Sequence, residues 1–223
     1  MDSSSIRLAV IVSAPFEENT YIAYVDGRTD CLIIDPGLEP DEILAHLDRE
    51  GLTPAAILIT HGHSDHIAGN RVLKGRYPDC PIVVSHGDAA KLTDPKLNLS
   101  AAFGAHLVSP PGDVLLGEGD VYSAAGFELL VREIPGHSSG HVVFIVQGAK
   151  PAIVFGGDVL FAGSIGRTDF PDGSFEQLAE GIWEKLFTMD DATVVLPGHG
   201  PTTTVGQEKR SNQFVGRPAG FKG

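Results

Sequence analysis

Three histidines and one aspartate fall within six residues, directly after the apolar run Ile57-Leu58-Ile59; the segment reads His61-Gly62-His63-Ser64-Asp65-His66. An apolar run of this length flanked by turn formers predicts a buried strand. Because side chains alternate along a strand, its end delivers His61 and His63 to the same side. Asp65 and His66 begin the next element and can point at a second position close by. The sequence therefore predicts a strand whose end presents ligands for two adjacent metal ions.

Three later strands are each predicted to end in another metal-binding residue type. Segments 127–134, 153–155 and 193–196 are rich in β-formers, and they precede His137, Asp158 and His199. A glycine stands before each of these residues and lets the backbone approach a crowded site closely. One histidine or aspartate after a strand is more often an ordinary loop residue. Four clusters at four strand ends favour one shared site.

The remaining segments alternate between β-rich stretches and amphipathic ones. Further strands are predicted at 7–12, 21–25, 31–34, 82–84 and 141–146, and helices at 41–50, 65–77 and 175–187. Residues 91–113 carry no clear pattern and are interpreted as a loop or flap. Strands with helices at intervals fit two sheets covered by outer helices. No repeat, linker or low-complexity tract divides the 223 residues, so one domain over residues 1–223 is expected.

Composition narrows the classes of partner and the location. The formal net charge of −13 argues against a nucleic-acid partner, since phosphate binding relies on lysine and arginine. It does not exclude a small anionic substrate. No apolar stretch reaches membrane-spanning length, and the polar start Met1-Asp2-Ser3-Ser4-Ser5 lacks the features of a secretory signal. Cys31 and Cys80 give no disulfide framework and are expected in the core, which predicts a cytoplasmic protein. The oligomeric state stays open.

Taken together, the ligand pattern resembles the metallo-β-lactamase superfamily over nearly the whole chain. Several further motifs resemble its glyoxalase II-like branch, especially the short, single-domain bacterial proteins; they are Phe16-Glu17-Glu18-Asn19-Thr20-Tyr21, Ile34-Asp35-Pro36-Gly37, Pro135-Gly136-His137-Ser138-Ser139-Gly140-His141, Gly157-Asp158-Val159-Leu160-Phe161, Gly166-Arg167-Thr168-Asp169-Phe170-Pro171 and Pro197-Gly198-His199-Gly200-Pro201-Thr202-Thr203. The resemblance implies an α/β fold, a four-layer αββα sandwich of two mixed sheets, with the metals at one edge.

The same resemblance implies which side chains hold which metal. The first metal would be held by His61, His63 and His137, the second by Asp65, His66 and His199, and Asp158 would bridge both. Five imidazoles and two carboxylates suit divalent zinc, iron or manganese, with no thiolate to favour zinc alone. We expect two divalent ions, with zinc first and iron or manganese as alternatives.

The implied reaction is hydrolysis of a small thioester such as S-lactoylglutathione by a hydroxide shared between the metals. Asp65 and Asp158 are the predicted catalytic residues, because they would hold or orient that nucleophile. A thiol with a pKa near 8.5 leaves as thiolate without a dedicated acid, which suits a site that lacks one. Arg167 lies where the family carries a basic residue that meets glutathione. The tyrosine that follows in those enzymes is replaced, with Asp169 nearby.

Departures from the family and alternative functions are also visible in the sequence. Only 24 residues follow His199 (223 − 199), so the C-terminal helical domain of full-length glyoxalase II is not expected. The runner-up function is a persulfide dioxygenase-like oxidoreductase with one iron held by His61, His137 and Asp158. A third hypothesis is a metal-binding protein without catalysis. The acidic net charge disfavours cleavage of RNA phosphodiesters. His141 is expected to support the ligands, while Asp35 either tethers the ligand loop or only makes its turn.

Overall fold

The first half of the chain forms a six-stranded mixed sheet in simple sequence order. The computed structural model describes residues 5–222; the rest of the polar N-terminal segment, 1–4, lies outside them. Strands β1 to β3 are antiparallel, and β3 to β6 run parallel to one another. The strands are β1 (Ile6–Ser13), β2 (Glu18–Val25), β3 (Asp30–Ile34), β4 (Thr53–Leu58), β5 (Ile82–Ser85) and β6 (Val114–Leu116).

A second six-stranded mixed sheet follows, in the order β14-β13-β10-β9-β8-β7. Only β10 and β13 pair in parallel, and the other neighbours are antiparallel. A separate two-stranded hairpin, β11 with β12, leaves this sheet after β10. The strands are β7 (Val121–Ala124), β8 (Phe127–Glu133), β9 (Val142–Val146), β10 (Ile153–Gly157), β11 (Leu160–Phe161), β12 (Ser164–Ile165), β13 (Val194–Pro197) and β14 (Thr203–Thr204).

Helices cover the outer face of each sheet and give four layers. Three hydrophobic clusters separate them: one between the sheets, one under the helices of the first sheet and one under those of the second. The predicted αββα sandwich is confirmed. The helices are α1 (Pro40–Glu50), α2 (Ser64–Ile67), α3 (Asn70–Arg76), α4 (Phe175–Gly181), which continues into a π-helical turn Ile182–Leu186, and α5 (Val205–Ser211). None of the helices within residues 5–222 has both the length and the apolar composition needed to cross a bilayer.

The helix predicted over residues 65–77 is divided at Gly69 into α2 and α3. The N–H of Gly69 donates to the carbonyl of Pro36 at 2.8 Å, and a Cβ on Gly69 would stand 3.0 Å from Cβ of Pro36. At the break between the two helices the chain therefore packs closely against the turn that follows β3, a tertiary contact that a periodic pattern alone does not reveal.

Backbone hydrogen bonds join the two sheets at the end that carries the predicted ligands. The N–H of Asn19, in the first sheet, donates to the carbonyl of Gly198 at 2.7 Å. The N–H of Val142, in the second sheet, donates to the carbonyl of Thr60 at 2.9 Å. The strand ends of both sheets consequently meet at one edge of the sandwich.

Candidate metal centre

The structure brings all seven predicted ligands to this edge. They come from the loops and short helix that follow β4 and from the segments after β8, β10 and β13, so four separate strand ends contribute. Three groups of possible ligands are resolved by distance among the described residues; one joins Asp35 to His61 and His66, and the other two consist of predicted ligands only. In each group the ligand atoms all lie within 4.8 Å of one another, and the latter two groups are His61 with His63 and His137, and Asp65 with His66 and His199.

Asp158 lies between the two groups. Its Oδ2 atom is 3.3 Å from Nε2 of His137 and 3.5 Å from Nε2 of His199. Its Oδ1 atom is 3.6 Å from Nε2 of His66. One carboxylate thus reaches nitrogens of both groups, as the resemblance implied for a bridging ligand.

Four of the imidazoles are oriented by contacts at Nδ1, on the side away from Nε2. The Nδ1 atom of His137 lies 2.8 Å from the carbonyl of Arg167, and that of His199 lies 2.9 Å from the carbonyl of Phe16. For His61 and His66 the Nδ1 contacts are Oγ1 of Thr60 at 3.2 Å and Oδ2 of Asp35 at 3.1 Å. An acceptor at one ring nitrogen fixes the orientation and the tautomer and turns the other nitrogen towards the cluster. There the Nε2 atom of His137 lies 3.0 Å from Nδ1 of His63.

Buried polar atoms without hydrogen-bond partners provide a test of whether the residues fit a metal. The Nε2 atoms of His61, His63 and His66 and the Oδ1 atom of Asp158 are buried and have no such partner. An unpaired buried polar group costs about 1–3 kcal/mol, so four together need a compensating partner. Divalent cations bind these nitrogen and oxygen donors. The side chains therefore fit a pair of divalent ions.

Burial and neighbouring charges set the protonation of the cluster. Burial, reinforced by the neighbouring histidines, holds the pKa of His61 and of His63 well below the ordinary value. Burial also opposes the charged forms of Asp65 and His66, but their mutual attraction, with His199 and Asp158 nearby, lowers the pKa of Asp65 and raises that of His66. The first group is thus neutral and ready to bind a metal, while the second group holds an ion pair that a cation would replace.

Glycine at two positions makes the close packing of the ligands feasible. Gly157 has φ of 48°, and a Cβ there would stand 2.7 Å from Nε2 of His141. A Cβ on Gly198 would stand 2.7 Å from Cε1 of His66 and closer still to Oδ1 of Asp158. The expectation that glycine permits close approach is met at both positions.

Two residues around the ligands have the supporting positions that the sequence left open or only suggested. His141 immediately precedes β9, and its Nε2 accepts a hydrogen bond from the N–H of Asp158 at 3.0 Å. Asp35 accepts hydrogen bonds from the N–H and the hydroxyl of Thr60, at 2.8 and 2.6 Å, besides its contact with His66. Asp35 therefore tethers the ligand loop as well as making its turn.

Sequence reasoning missed a second tether beneath the loop, built on Asp88. This buried carboxylate accepts hydrogen bonds from the N–H of Gly62 and of Gly140, each at 2.8 Å. Lys91 lies 3.1 Å from it and also donates to Ser138 and to Asp172. Asp88 precedes a 3₁₀ turn, Ala89–Leu92, and Lys91 falls in the segment that carried no pattern. Nothing in the sequence marked either residue.

Arg167, the predicted substrate-binding residue, lies at the wall of a pocket that opens over the cluster. Its side chain is exposed and forms a bidentate pair with Asp169. Lys209 lies on α5 and pairs with Asp191 at 2.8 Å. Of Arg167 and Lys209, Arg167 thus lies at the candidate site and Lys209 does not.

Known proteins are similar in sequence to this chain along most of its length. The family model described as the metallo-beta-lactamase superfamily matches residues 15–199. A probable metallo-hydrolase of Bacillus subtilis, YqgX, is 39% identical over 90% of this chain and 93% of its own length. The hydroxyacylglutathione hydrolase GloC of Haemophilus influenzae is 34% identical over 94% of this chain and 98% of its own.

Solved structures agree with the sequence relatives. The B3 metallo-beta-lactamase BLEG-1 superimposes with a TM-score of 0.89 at 36% identity, covering 94% of this chain and 99% of that one. The protein TTHA1623, solved in a di-iron-bound form, gives a TM-score of 0.79 at 36% identity, covering 92% and 99%. The chain belongs to the metallo-β-lactamase superfamily and to its glyoxalase II-like branch.

Proposed function

We propose that this protein is a metal-dependent hydrolase of small thioesters that works with two divalent ions. The observation that carries the proposal is the position of Asp158, whose two oxygens reach histidine nitrogens of both ligand groups. His61, His63 and His137 would hold one ion, Asp65, His66 and His199 the other, and Asp158 both. A relative named as a hydroxyacylglutathione hydrolase and one solved with two irons support this reading.

The chain's own residues prepare the site for hydrolysis. Two ions held there would lower the pKa of a shared water to around 7 and polarise the substrate carbonyl. Asp65 stays ionised, because the nearby imidazoles of His66 and His199 lower its pKa in spite of burial. Its carboxylate can accept a hydrogen bond from that water and orient it. Asp158, whose oxygens reach nitrogens of both groups, would contribute by holding both ions.

The choice of a thioester rests on the leaving group. Apart from the ligands, the polar residues that line the pocket within the described chain are Ser64, Asn98, Ser164 and Arg167. None of these side chains donates a proton readily near neutral pH. An amine leaves poorly without an acid, whereas a thiol with a pKa near 8.5 leaves as thiolate. The pocket therefore suits thioesters better than amides.

Metal analysis combined with two activity assays tests the proposal. We expect two metals per chain and cleavage of S-lactoylglutathione or a simpler thioester by the loaded protein. Asp158→Ala should lose both metals and nearly all turnover, while Asp26→Asn, at an exposed surface pair with Arg7, should keep both. One iron per chain with oxygen consumed on glutathione persulfide would overturn the proposal in favour of the dioxygenase. Full activity in Asp158→Ala would remove the bridging role.

Two further expectations remain predictions beside this proposal. One is that residues 1–223 form one domain. The other is a cytoplasmic protein with no nucleic-acid or membrane partner. Cell fractionation with an antibody against the chain would test the location.

A further inference from the structure

The pocket over the ligand cluster is walled mainly by apolar side chains. It has a volume of about 360 Å³, within the range of pockets that hold small ligands. Its floor is formed by five of the predicted ligands. Its apolar lining residues are Phe16, Leu99, Phe103, Phe161, Ile165 and Phe170.

Aromatic rings flank both ligand groups. The ring of Phe170 lies 5.0 Å from that of His63 and 5.6 Å from that of His137. On the other side, the ring of Phe161 lies 6.2 Å from that of His199. A substrate carbonyl that reaches the cluster therefore has aromatic surface on both sides. Polar groups attached next to that carbonyl would lose water against these rings.

The one cationic side chain of the lining, Arg167, is already paired. Its Nε and Nη2 atoms donate to the two carboxylate oxygens of Asp169 at 2.7 and 2.8 Å. Its guanidinium carbon lies 4.4 Å from the centre of the Phe170 ring, so Phe170 covers one face of the guanidinium. The pair with Asp169 thus offsets the charge of Arg167 and occupies the Nε–Nη2 edge of its guanidinium.

A second apolar hollow adjoins the pocket behind a pair of aromatic rings. Phe16 and Phe103 lie edge to face with centroids 5.7 Å apart, and both line the main pocket and the hollow. The hollow has a volume of about 90 Å³ and is lined further by Leu38, Ala105 and Leu107. Apolar surface thus extends beyond the space needed for a two- or three-carbon acyl group.

We propose that the site takes thioesters of extended apolar acyl groups on uncharged thiols, in preference to short hydroxyacyl esters of glutathione. This inference rests on the proposed thioester hydrolysis and names its substrate class. The aromatic walls and the adjoining hollow receive the acyl group. The thiol half needs no carboxylate, because the only guanidinium of the lining is held by Asp169. Glutathione carries two carboxylates, and the guanidinium that lines this pocket is already paired with Asp169.

Four thioesters assayed with the metal-loaded protein test the inference. Phenylacetyl and lactoyl groups are each joined to N-acetylcysteamine, which is uncharged, and to glutathione. Each kcat/KM is divided by the rate of uncatalysed alkaline hydrolysis of the same ester. We expect the phenylacetyl esters to exceed the lactoyl esters by about tenfold or more, the discrimination that added apolar surface gives in an apolar pocket. The glutathione esters should not exceed the N-acetylcysteamine esters.

Two variants with matched controls separate the two halves of the substrate. Phe161→Ala should reduce the phenylacetyl advantage severalfold, whereas Phe175→Ala, at an exposed phenylalanine on α4, should not change it. Asp169→Asn releases Arg167 and should raise the relative kcat/KM of the glutathione esters severalfold. Asp26→Asn removes a carboxylate from another exposed bidentate arginine pair and should leave this ratio unchanged.

Three outcomes would overturn the inference. Equal corrected rates for lactoyl and phenylacetyl esters would remove the apolar acyl preference. A tenfold or greater advantage of glutathione esters, lost in Arg167→Ala, would show that glutathione is recognised; both results leave thioester hydrolysis standing. If the protein loaded with two metals cleaves none of the four esters, the proposed function itself fails, and this inference fails with it.

Discussion

The carboxylate of Asp35 lies 3.1 Å from Nδ1 of His66, and both side chains are buried. Asp35 has φ of 50° at the end of β3, which turns its carboxylate towards the loop after the parallel neighbour β4. The same carboxylate accepts two hydrogen bonds from Thr60. One side chain thereby fixes both the ligand loop and the ring orientation of a predicted ligand.

We expect Asp35→Asn to weaken the metal site that contains His66 while the fold is kept. Asparagine has the same shape and tolerates the left-handed backbone, but its neutral amide no longer supports the ring electrostatically. Losing such a supporting contact costs about 10- to 100-fold in metal affinity. Zinc titration against a competing chelator measures the change, with the exposed Asp48→Asn as control. If both zinc dissociation constants are unchanged in Asp35→Asn, Asp35 does not support the metal site.

The buried side chain of Lys91 forms ion pairs with two carboxylates. Its ammonium lies 3.1 Å from Asp88 and 2.6 Å from Asp172, and Asp88 is fully buried. Through Asp88 and Ser138 the network joins the loop of His61 and His63 to the loop of His137. Removing the ammonium would leave a buried carboxylate without its counter-charge.

We predict that Lys91→Met destabilises the metal-free protein by about 3 kcal/mol or more, as is typical when one partner of a buried ion pair is removed. Lys209→Met provides the control, because its partner Asp191 is exposed. The control should cost about 1 kcal/mol or less. Urea unfolding of the metal-free variants gives both values. A similar small loss in both would show that the buried network contributes little.

The ligand positions were predictable because strand periodicity and residue chemistry are local. An apolar run that ends in His61 and His63 predicts the side to which they point, and the same reasoning applied to His137, Asp158 and His199. Grouping these distant residues into two sets of ligands needed the family resemblance. Two sheets covered by outer helices followed from the alternation of strand and helix patterns, and the αββα sandwich was implied by the family resemblance.

The rest of the site depends on contacts that sequence patterns do not encode. Lys91 is polar on a short 3₁₀ turn, and only tertiary packing buries it against Asp88. The pocket wall collects Phe16, Phe103 and Phe161 from three distant segments. Short strands such as β6 and β14 have two or three residues, too few for a periodic signal. Tertiary context decides these features.

Both cysteines are buried, as expected from the sequence, and both should be unreactive in the folded protein. Burial raises the pKa of the Cys31 thiol to about 12 and that of Cys80 to about 11, from an ordinary value of 9.0. Thiolate is the reactive form, so we expect no labelling by a disulfide reagent at pH 8 and two labels in guanidinium chloride. Rapid labelling of the native protein would contradict the burial.

The same raised pKa values predict how stability depends on alkaline pH. Above pH 9 the unfolded chain releases the thiol protons while the native protein keeps them, so the unfolded state binds fewer protons and stability falls with rising pH. The contribution is complete below pH 9 and is lost towards pH 11 to 12. A Cys31→Ala/Cys80→Ala variant should lose less of its own stability between pH 8 and 10.5 than the parent chain. If the free energy of unfolding falls equally with pH in both proteins, the thiol pKa values are not raised by burial.

Gly198 is the position where one methyl group should disable the cluster. A Cβ there would stand 2.7 Å from Cε1 of His66 and closer to Oδ1 of Asp158, so two ligands from opposite sides must move. A displacement of about 1 Å at a reacting centre costs about 10²-fold in rate, and we expect Gly198→Ala to lose at least that in kcat/KM and to bind both metals more weakly.

Gly75→Ala is the matched control, because no other atom lies within 4 Å of its Cβ position on α3. That control should retain activity and gain up to about 1 kcal/mol of stability from helix propensity. Full metal content and activity in Gly198→Ala would mean that the ligands can shift without loss, and that the close approach of the β13 loop is not required.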